Sequence, residues 1–260
     1  MIRNAVIDAL MQRASTRAFT GQMPSREVIE TLVRAGQQAP FAYQMCSVIL
    51  EREGKLPWGA PLNFIICADA HRGGLIARAR GWEVRTSELP LLLFAIQDAA
   101  YMAQNMVIAA ESLGLGSCYI GSAPWIAPQI IARHKLPPKV FPLVMLAVGY
   151  AAERPASRPR YPLEFSLFEG EYPRFTDEQL SEAMRVMDEG YLAQDYYKKL
   201  GAKVPVPEGM EDRVEMDAYS WTEHISRKLQ WMESPEELLD SLRKCGFDLS
   251  GGAGKAPEAS

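Results

Sequence analysis

Cysteine and histidine are scarce in this sequence, and their scarcity excludes several kinds of site. The 260 residues contain four cysteines and three histidines, widely spaced and without a Cys-x-x-Cys pair, so no metal site is predicted. The formal net charge is -4 and no polybasic run is present, so neither nucleic acid nor a membrane surface is expected as a partner. No Gly-x-Gly-x-x-Gly follows a predicted strand, which argues against a dinucleotide-binding Rossmann domain.

Uninterrupted hydrophobic runs are also lacking. The most apolar region, residues 89–110, contains Gln97, Asp98, Gln104 and Asn105, so it is predicted to be a buried helix rather than a membrane span. The first residues lack the apolar core and the cleavage site of a signal peptide. Dispersed cysteines fit a reducing compartment. We therefore expect a cytoplasmic protein without a membrane segment.

The elements that the sequence does predict are a few strands among many helices. The predicted strands cover residues 47–51, 62–68, 117–120 and 141–150. The predicted helices cover residues 2–12, 25–36, 97–113, 124–134, 176–200, 219–231 and 234–245. Because strands and helices do not alternate regularly, we predict an α+β fold with a central, mostly antiparallel sheet wrapped by helices.

A basic segment rich in hydroxyl groups lies near the start, where residues 13–19 read Arg-Ala-Ser-Thr-Arg-Ala-Phe. Arginine presents a planar fork of N–H donors that matches phosphate oxygens, and hydroxyl groups add further donors. The segment is therefore a candidate site for a phosphate monoester. From this segment alone, the alternative interpretation as a solvated helix end stays open.

Three further segments accompany it along the chain. Residues 39–44, which follow the second predicted helix, read Ala-Pro-Phe-Ala-Tyr-Gln. Residues 114–121, which follow the long apolar helix, read Gly-Leu-Gly-Ser-Cys-Tyr-Ile-Gly. The last predicted strand leads into residues 151–162, a loop rich in proline and arginine.

The order and spacing of these four segments resemble the FMN-dependent nitroreductase family. The resemblance covers about residues 5–165 and is strongest in Arg-x-Ser-x-Arg-x-Phe and in the Gly-Leu-Gly-Ser-Cys-x-Ile-Gly turn. It implies a nitroreductase-like fold, an FMN cofactor and a homodimer with the flavin at the interface. By resemblance the cofactor-binding residues are Arg13, Ala14, Ser15, Arg17, Pro40, Phe41, Ala42, Gln44, Tyr119, Ile120, Gly121, Arg158 and Arg160.

The resemblance also implies how the phosphate is held. Arg13 and Ser15 would bind it, joined from the far end of the core by Arg160 and Arg158. A charge-assisted bond from arginine to phosphate contributes about 1.5–3 kcal/mol. The alternative for Arg158 and Arg160 is a plain solvated loop.

Other residues are implied to face the flavin ring. Arg17 would lie near the ribityl chain and the N1–O2 edge, where a fixed cation stabilises the reduced, anionic ring. The Ile120–Gly121 turn would bring a backbone N–H towards N5, and a small residue permits that close approach. A simple turn glycine is the alternative for Gly121.

The second segment departs from the family pattern. Many members read Ala-Pro-Ser-x-x-Asn here, and the serine and asparagine reach the flavin from the partner subunit. This chain has Phe41 in place of the serine and Gln44 in place of the asparagine. Gln44 keeps an amide, whereas Phe41 can only stack or shape the pocket. Phe41 and Tyr43 could instead be interface or core aromatics, so flavin contacts and substrate choice are open at this segment.

The implied activity is hydride transfer from NAD(P)H to an electron-poor small molecule, a nitroaromatic or a quinone, by a ping-pong mechanism. Flavin N5 does the chemistry, and no catalytic side chain is assigned. The alternatives are other FMN chemistry on the same fold (reductive dehalogenation or substrate dehydrogenation), a non-catalytic flavin-binding protein, or an unrelated phosphate-binding module. The sequence does not choose between NADH and NADPH; the basic stretch 71–85 fits either a 2′-phosphate contact or a solvated face.

The resemblance divides the chain into a nitroreductase-like FMN-binding core, residues 1–165, and a helical C-terminal extension, residues 166–249. The extension carries no motif, and it is expected to pack on the partner subunit. Residues 250–260 are rich in glycine, alanine and serine and are predicted to be a disordered tail.

Overall fold

A computed structural model describes residues 2–230 and 234–249, and their contacts divide into two units. The first unit contains the chain up to Pro155 and again from Pro235, and the second contains the chain between them. The predicted packing of the C-terminal extension on a partner stays a prediction. The predicted tail, 250–260, lies outside the described residues.

One four-stranded sheet forms the centre of the first unit. Its strands are β1 (Cys46–Glu51), β2 (Leu62–Asp69), β3 (Gly116–Ile120) and β4 (Val140–Gly149). They lie in the order β1-β2-β4-β3, and every neighbouring pair is antiparallel. Every residue of β2 is buried, as expected for a central strand covered on both faces. The predicted α+β fold with an antiparallel central sheet is confirmed.

Helices pack around this sheet in the first unit, and other helices form the second unit. In chain order they are α1 (Ala5–Gln12), α2 (Arg26–Gln37), α3 (His71–Ala79), α4 (Glu88–Ser112), α5 (Ala127–His134), α6 (Asp177–Ala193), α7 (Tyr196–Leu200), α8 (Trp221–Lys228) and α9 (Pro235–Lys244). Side-chain caps fix the starts of α1, α2 and α6, the last through a capping box of Thr176 and Gln179. The Asn4 side chain accepts from two N–H groups of α1, and Ser25 accepts from the Val28 N–H of α2.

Two predicted helix boundaries differ from the structure. The long helix α4 begins at Glu88 rather than at residue 97, because Pro90 falls in its first turn, where a missing N–H costs nothing. The single helix predicted over 176–200 is two helices. Asp195 has φ 48°, in the left-handed region, and this ends α6 before α7 begins.

The core of the first unit lies between the sheet and α4. Phe64 and Leu146 of the sheet pack with Met106 of α4, and all three are buried. Helix α2 approaches α4 closely at Gly36, where an added Cβ would lie 2.8 Å from Met106 Cγ. By length and composition alone α4 could cross a membrane, and 44% of its most apolar 18 residues are buried in this fold.

The second unit has its own small core of aromatic side chains. Tyr191, Tyr197 and Tyr219 are buried together. The guanidinium of Arg227 is also buried, and it donates to Asp212 (2.7 and 3.0 Å) and to Glu223 (2.7 Å). These bonds attach the segment between α7 and α8 to α8.

Candidate functional site

The basic segment, Arg13–Phe19, runs along the outer edge of β3. Ser15 pairs with Ser117 as a parallel bridge, and the Thr16 N–H donates to the Ser117 carbonyl (2.9 Å). Further on, the Ala152 N–H donates to the Ala18 carbonyl (2.9 Å). The structure thus brings the first and third predicted segments side by side in one chain.

A glycine makes this close approach possible. A Cβ added at Gly116 would lie 2.7 Å from Thr16 Cβ and 2.8 Å from Thr16 Cγ2, and nearer still to the Thr16 hydroxyl. Because real Cβ atoms essentially never come so close, glycine is required here for steric reasons. Thr16 and Ser117 are both buried at the contact, so the backbone of the basic segment is firmly held.

Side chains of the basic segment act on the Cys118 thiol of β3. Burial raises the pKa of that thiol, and the charges of Arg17 and Arg13 and a hydrogen bond with Ser15 oppose the rise. Two guanidinium groups and one hydroxyl of the basic segment therefore influence the same side chain of β3. This is the donor set that the sequence predicted for a phosphate.

The two arginines carry charge that the described part of the chain does not neutralise by an ion pair. Arg17 lies over the Trp58 ring, 5.6 Å from its centroid. The carboxyl group that interacts with Arg13 is Glu111 of α4. Burial raises the pKa of Glu111, while the charges of Arg13 and Arg154 lower it. A site with excess positive charge and oriented donors is suited to an anion.

A cavity of about 310 Å³ adjoins the basic segment on the side of α1 and the end of α4. Ala14 and Thr16 line it, together with Glu111 and Arg154. Of the remaining predicted residues of β3, Tyr119 is partly exposed, and partial burial raises the pKa of its hydroxyl to about 12 against the attraction of Arg13. At Gly121 no atom lies within 4 Å of an added Cβ, so contacts within this chain do not require glycine there.

The second predicted segment is a loop held by one buried carboxylate. Asp98 of α4 is 2% exposed and accepts from the N–H groups of Ala42 (2.7 Å), Tyr43 (3.1 Å) and Met45 (2.9 Å). In the sequence, Asp98 counts only as evidence against a membrane span. A lone acid within an apolar helix was the signal that could have identified it, because a buried charge needs several donors.

The backbone of the same loop is strained at Gln44. Gln44 has φ 54°, which is unfavourable for a residue with a side chain, and its carbonyl accepts from Arg72 (3.2 Å). The Arg72 guanidinium also donates to the Cys46 carbonyl and to Asp69 (2.8 Å). Phe41 is 55% exposed beside a cavity of about 550 Å³ that Pro40 and Gln44 also line.

Arg158 and Arg160 belong to the second unit and contact their own surroundings. The Arg158 guanidinium lies 3.8 Å from the centroid of the Tyr196 ring and donates to Gln194 (2.5 Å). Arg160 donates to the carbonyls of Arg158 (3.1 Å) and Pro159 (2.9 Å). The predicted meeting of these arginines with the basic segment at one phosphate stays a prediction.

The basic segment and the Asp98-held loop lie at diagonally opposite corners of the sheet. Cys46, just after the loop, begins edge strand β1. It pairs with Ala68 of β2, and Ala68 pairs in turn with Phe141 of β4. Ser117 is on the other edge strand, level with Val148 of β4. Three interstrand spacings of about 4.8 Å and seven residues of about 3.4 Å separate the two corners by roughly 28 Å.

Known proteins were found that are similar to this chain. The nitroreductase family model matches residues 49–150. The FMN reductase (NADPH) of Bacillus subtilis is 33% identical over 75% of this chain and 84% of its own length. The oxygen-insensitive NADPH nitroreductase of Salmonella typhimurium is 28% identical over 93% of this chain and 97% of its own. The structure of the NfrA1 nitroreductase from B. subtilis superposes with a TM-score of 0.76 at 27% identity, covering 93% of this chain and 98% of that one.

Proposed function

The chain belongs to the nitroreductase family, and we propose that it is an FMN-dependent oxidoreductase that transfers hydride from NAD(P)H to an electron-poor acceptor. The observation that carries the proposal is the segment bridged to β3 at Ser15, in which Arg13 and Arg17 lie on either side of Ser15 in sequence and form no ion pair within the described residues. The names of the relatives supply the flavin and the nicotinamide.

The residues present fit the phosphate end of FMN. That group carries about two negative charges, and Arg13 with Ser15 supplies N–H and O–H donors on a backbone fixed by β3. Arg17, at the other end of the segment, would place a cation beside the ring and favour its reduced, anionic form. When bound, FMN supplies the hydride-accepting and hydride-donating atom, and the chain supplies position and charge.

The layout of the sheet favours a homodimer with two composite sites. A flavin on the basic segment cannot reach the Asp98-held loop of the same chain, roughly 28 Å away by strand geometry. The loop of a second copy can reach it. Helix α4 also exposes apolar side chains one or more turns apart, Leu89, Leu93 and Tyr101. Such a stripe is typical of a surface that another protein covers.

In the proposed dimer, Phe41 and Gln44 of one copy form a wall of the site on the other. The aromatic ring suits planar acceptors, nitroaromatics and quinones, which stack on it. A single pocket of this kind takes reductant and acceptor in turn, which is a ping-pong mechanism. The cytoplasm stays the expected location.

Three measurements test the proposal. The purified protein should be yellow, and anaerobic mixing with NADPH should bleach its flavin band within seconds. Arg13→Ala should weaken FMN binding about 10- to 150-fold, the loss of one charge-assisted bond of about 1.5–3 kcal/mol. Arg26→Ala is the matched control, because Arg26 is exposed on α2 and pairs only with Glu30.

Several results, including two from further measurements, would contradict parts of this proposal. A protein that stays colourless with added FMN would support an unrelated phosphate site instead. Bound FMN that NADPH does not bleach would indicate a flavin-binding protein without this activity. Light scattering that shows a flavin-loaded monomer would exclude the composite site. Arg17→Ala should slow the reduction of the flavin more than it weakens the binding of FMN. A wild-type rate of flavin reduction in this variant would show that Arg17 does not act on the flavin ring.

A further inference from the structure

A side chain from a distant part of the chain holds the backbone of the loop over residues 40–45. Asp98 accepts three backbone N–H groups from this loop, at 2.7–3.1 Å, and is almost fully buried. Hydrogen bonds to an ionised acceptor are about twice as strong as neutral ones. The carboxylate therefore fixes the path of the loop backbone.

The three hydrogen bonds to Asp98 do not include the N–H of Gln44, and Gln44 is the residue of this loop with a positive φ. Gln44, between Tyr43 and Met45, adopts φ 54° while its carbonyl accepts from Arg72. Such a conformation costs about 1–3 kcal/mol and persists only where the surroundings impose it. Asp98 from α4 and Arg72 from α3 impose it from two sides.

The anchored loop presents its side chains outwards. Phe41 is 55% exposed and Tyr43 is 64% exposed, with the Tyr43 ring 5.5 Å from Phe94 in an edge-to-face contact. Because the backbone is held, the directions in which these side chains leave it are fixed, and the choice of rotamers is limited. A rigid platform of this kind can orient a planar ligand.

We propose that Asp98 is a positioning residue for the electron acceptor: through the loop it sets the Phe41 wall against which a planar aromatic acceptor stacks. The inference rests on the proposed function and on its composite, dimeric site. Asp98 does not touch the acceptor or the flavin. It acts by holding Ala42 and Tyr43 in place, and with them the Phe41 ring.

The test compares two acceptors on the flavin-loaded dimer. Asp98→Asn keeps the shape of the side chain but replaces one acceptor oxygen with an N–H donor that faces other donors. For a planar nitroaromatic, kcat/KM should fall about 10- to 100-fold, mainly through KM, as expected for a misplaced contact. Ferricyanide takes single electrons without stacking, so its kcat/KM should change by less than about twofold.

Two further variants separate positioning from general damage. Asp188→Asn is the matched control, since Asp188 also accepts from a backbone N–H and a hydroxyl, both of Thr222, but lies in the second unit. Phe41→Ala removes an exposed ring, so folding should survive. It should share the acceptor-specific loss, and the double variant should lose no more than either single one, because both changes act through the same wall.

Hydrogen exchange provides a readout that does not need turnover. The amides of Ala42, Tyr43 and Met45 should exchange faster in Asp98→Asn, with other amides of α4 and the sheet unchanged. Equal losses on both acceptors, additive effects with Phe41→Ala, or unchanged nitroaromatic kinetics would each overturn the inference alone. Wild-type protein that fails to bind FMN, or to be bleached by NADPH, would overturn the proposed function and this inference together.

Discussion

Replacing Gly116 with alanine should separate the basic segment from β3. The added Cβ would lie 2.7 Å from Thr16 Cβ, whereas carbon atoms pack at about 3.5–4.0 Å. The two backbones must therefore move apart by about 1 Å. Thr16 is buried and its N–H donates to Ser117, so the movement cannot be absorbed by turning an exposed side chain.

The structure gives two magnitudes for this change. Overpacking a tight contact costs about 1–3 kcal/mol, so the free energy of unfolding in urea should fall by that amount. Ser15 moves with Thr16, and a displacement near 1 Å would weaken or break its proposed bond to the phosphate. FMN affinity, followed by quenching of flavin fluorescence, should fall at least about tenfold.

The adjacent threonine provides a rescue, and another glycine provides a control. In the double variant Thr16→Gly/Gly116→Ala, the residue without a Cβ lies on the basic segment instead of on β3. The close contact is then relieved, and FMN affinity should be restored. Gly73→Ala, on the exposed face of α3 with open space around it, should stabilise the protein by about 0.5–1 kcal/mol. If Gly116→Ala matches wild type in both stability and affinity, or the double variant binds no better than the single one, the close-approach argument is refuted.

Three other changes have defined outcomes. Gln44→Gly should raise the free energy of unfolding by up to about 1 kcal/mol, because glycine adopts φ 54° freely, and a loss of stability on a urea curve would contradict the strain. Arg227→Ala should destabilise the second unit by about 2–3 kcal/mol, because Asp212 and Glu223 both lose their bonds to the buried guanidinium and Asp212 keeps its pair with Lys203, whereas exposed Arg185→Ala should leave the melting curve unchanged; equal effects would be inconsistent with the buried guanidinium. Burial and Lys228 lower the pKa of His224, so the unfolded state binds more protons, and stability should decline as pH falls below the ordinary value of about 6.5. In His224→Gln that decline should be smaller, as urea curves at several pH values would show.

The sequence located the elements of this fold better than it located their contacts. Apolar composition found all four strands, because short runs rich in β-branched, leucine and aromatic residues are local signals. It could not find the Asp98 bonds to Ala42 and Tyr43, which join residues 56 and 55 positions apart. The family resemblance grouped the basic segment with the Gly-Leu-Gly turn, and the parallel bridge of Ser15 to Ser117 shows them adjacent.

The sequence also could not predict which groups the arginine side chains of the Pro/Arg-rich loop would bond. Arg158 and Arg160 looked like free donors in a polar loop, yet in the second unit they bond Gln194 and their own backbone. Helix α4 begins nine residues before the predicted start at residue 97, and Pro90 is acceptable there because it lies within the first turn.

The return of the chain to the first unit at Pro235 determines when that unit can be completed during synthesis. Leu242, Cys245 and Phe247 are buried in the same cluster as Met45 and Phe141, so this part of the core lacks its last members until synthesis has passed residue 247. The second unit, by contrast, is continuous in sequence and can fold earlier. The unit that carries the basic segment is therefore the last to close, and a nascent chain interrupted before residue 235 would carry the basic segment on an unfinished core.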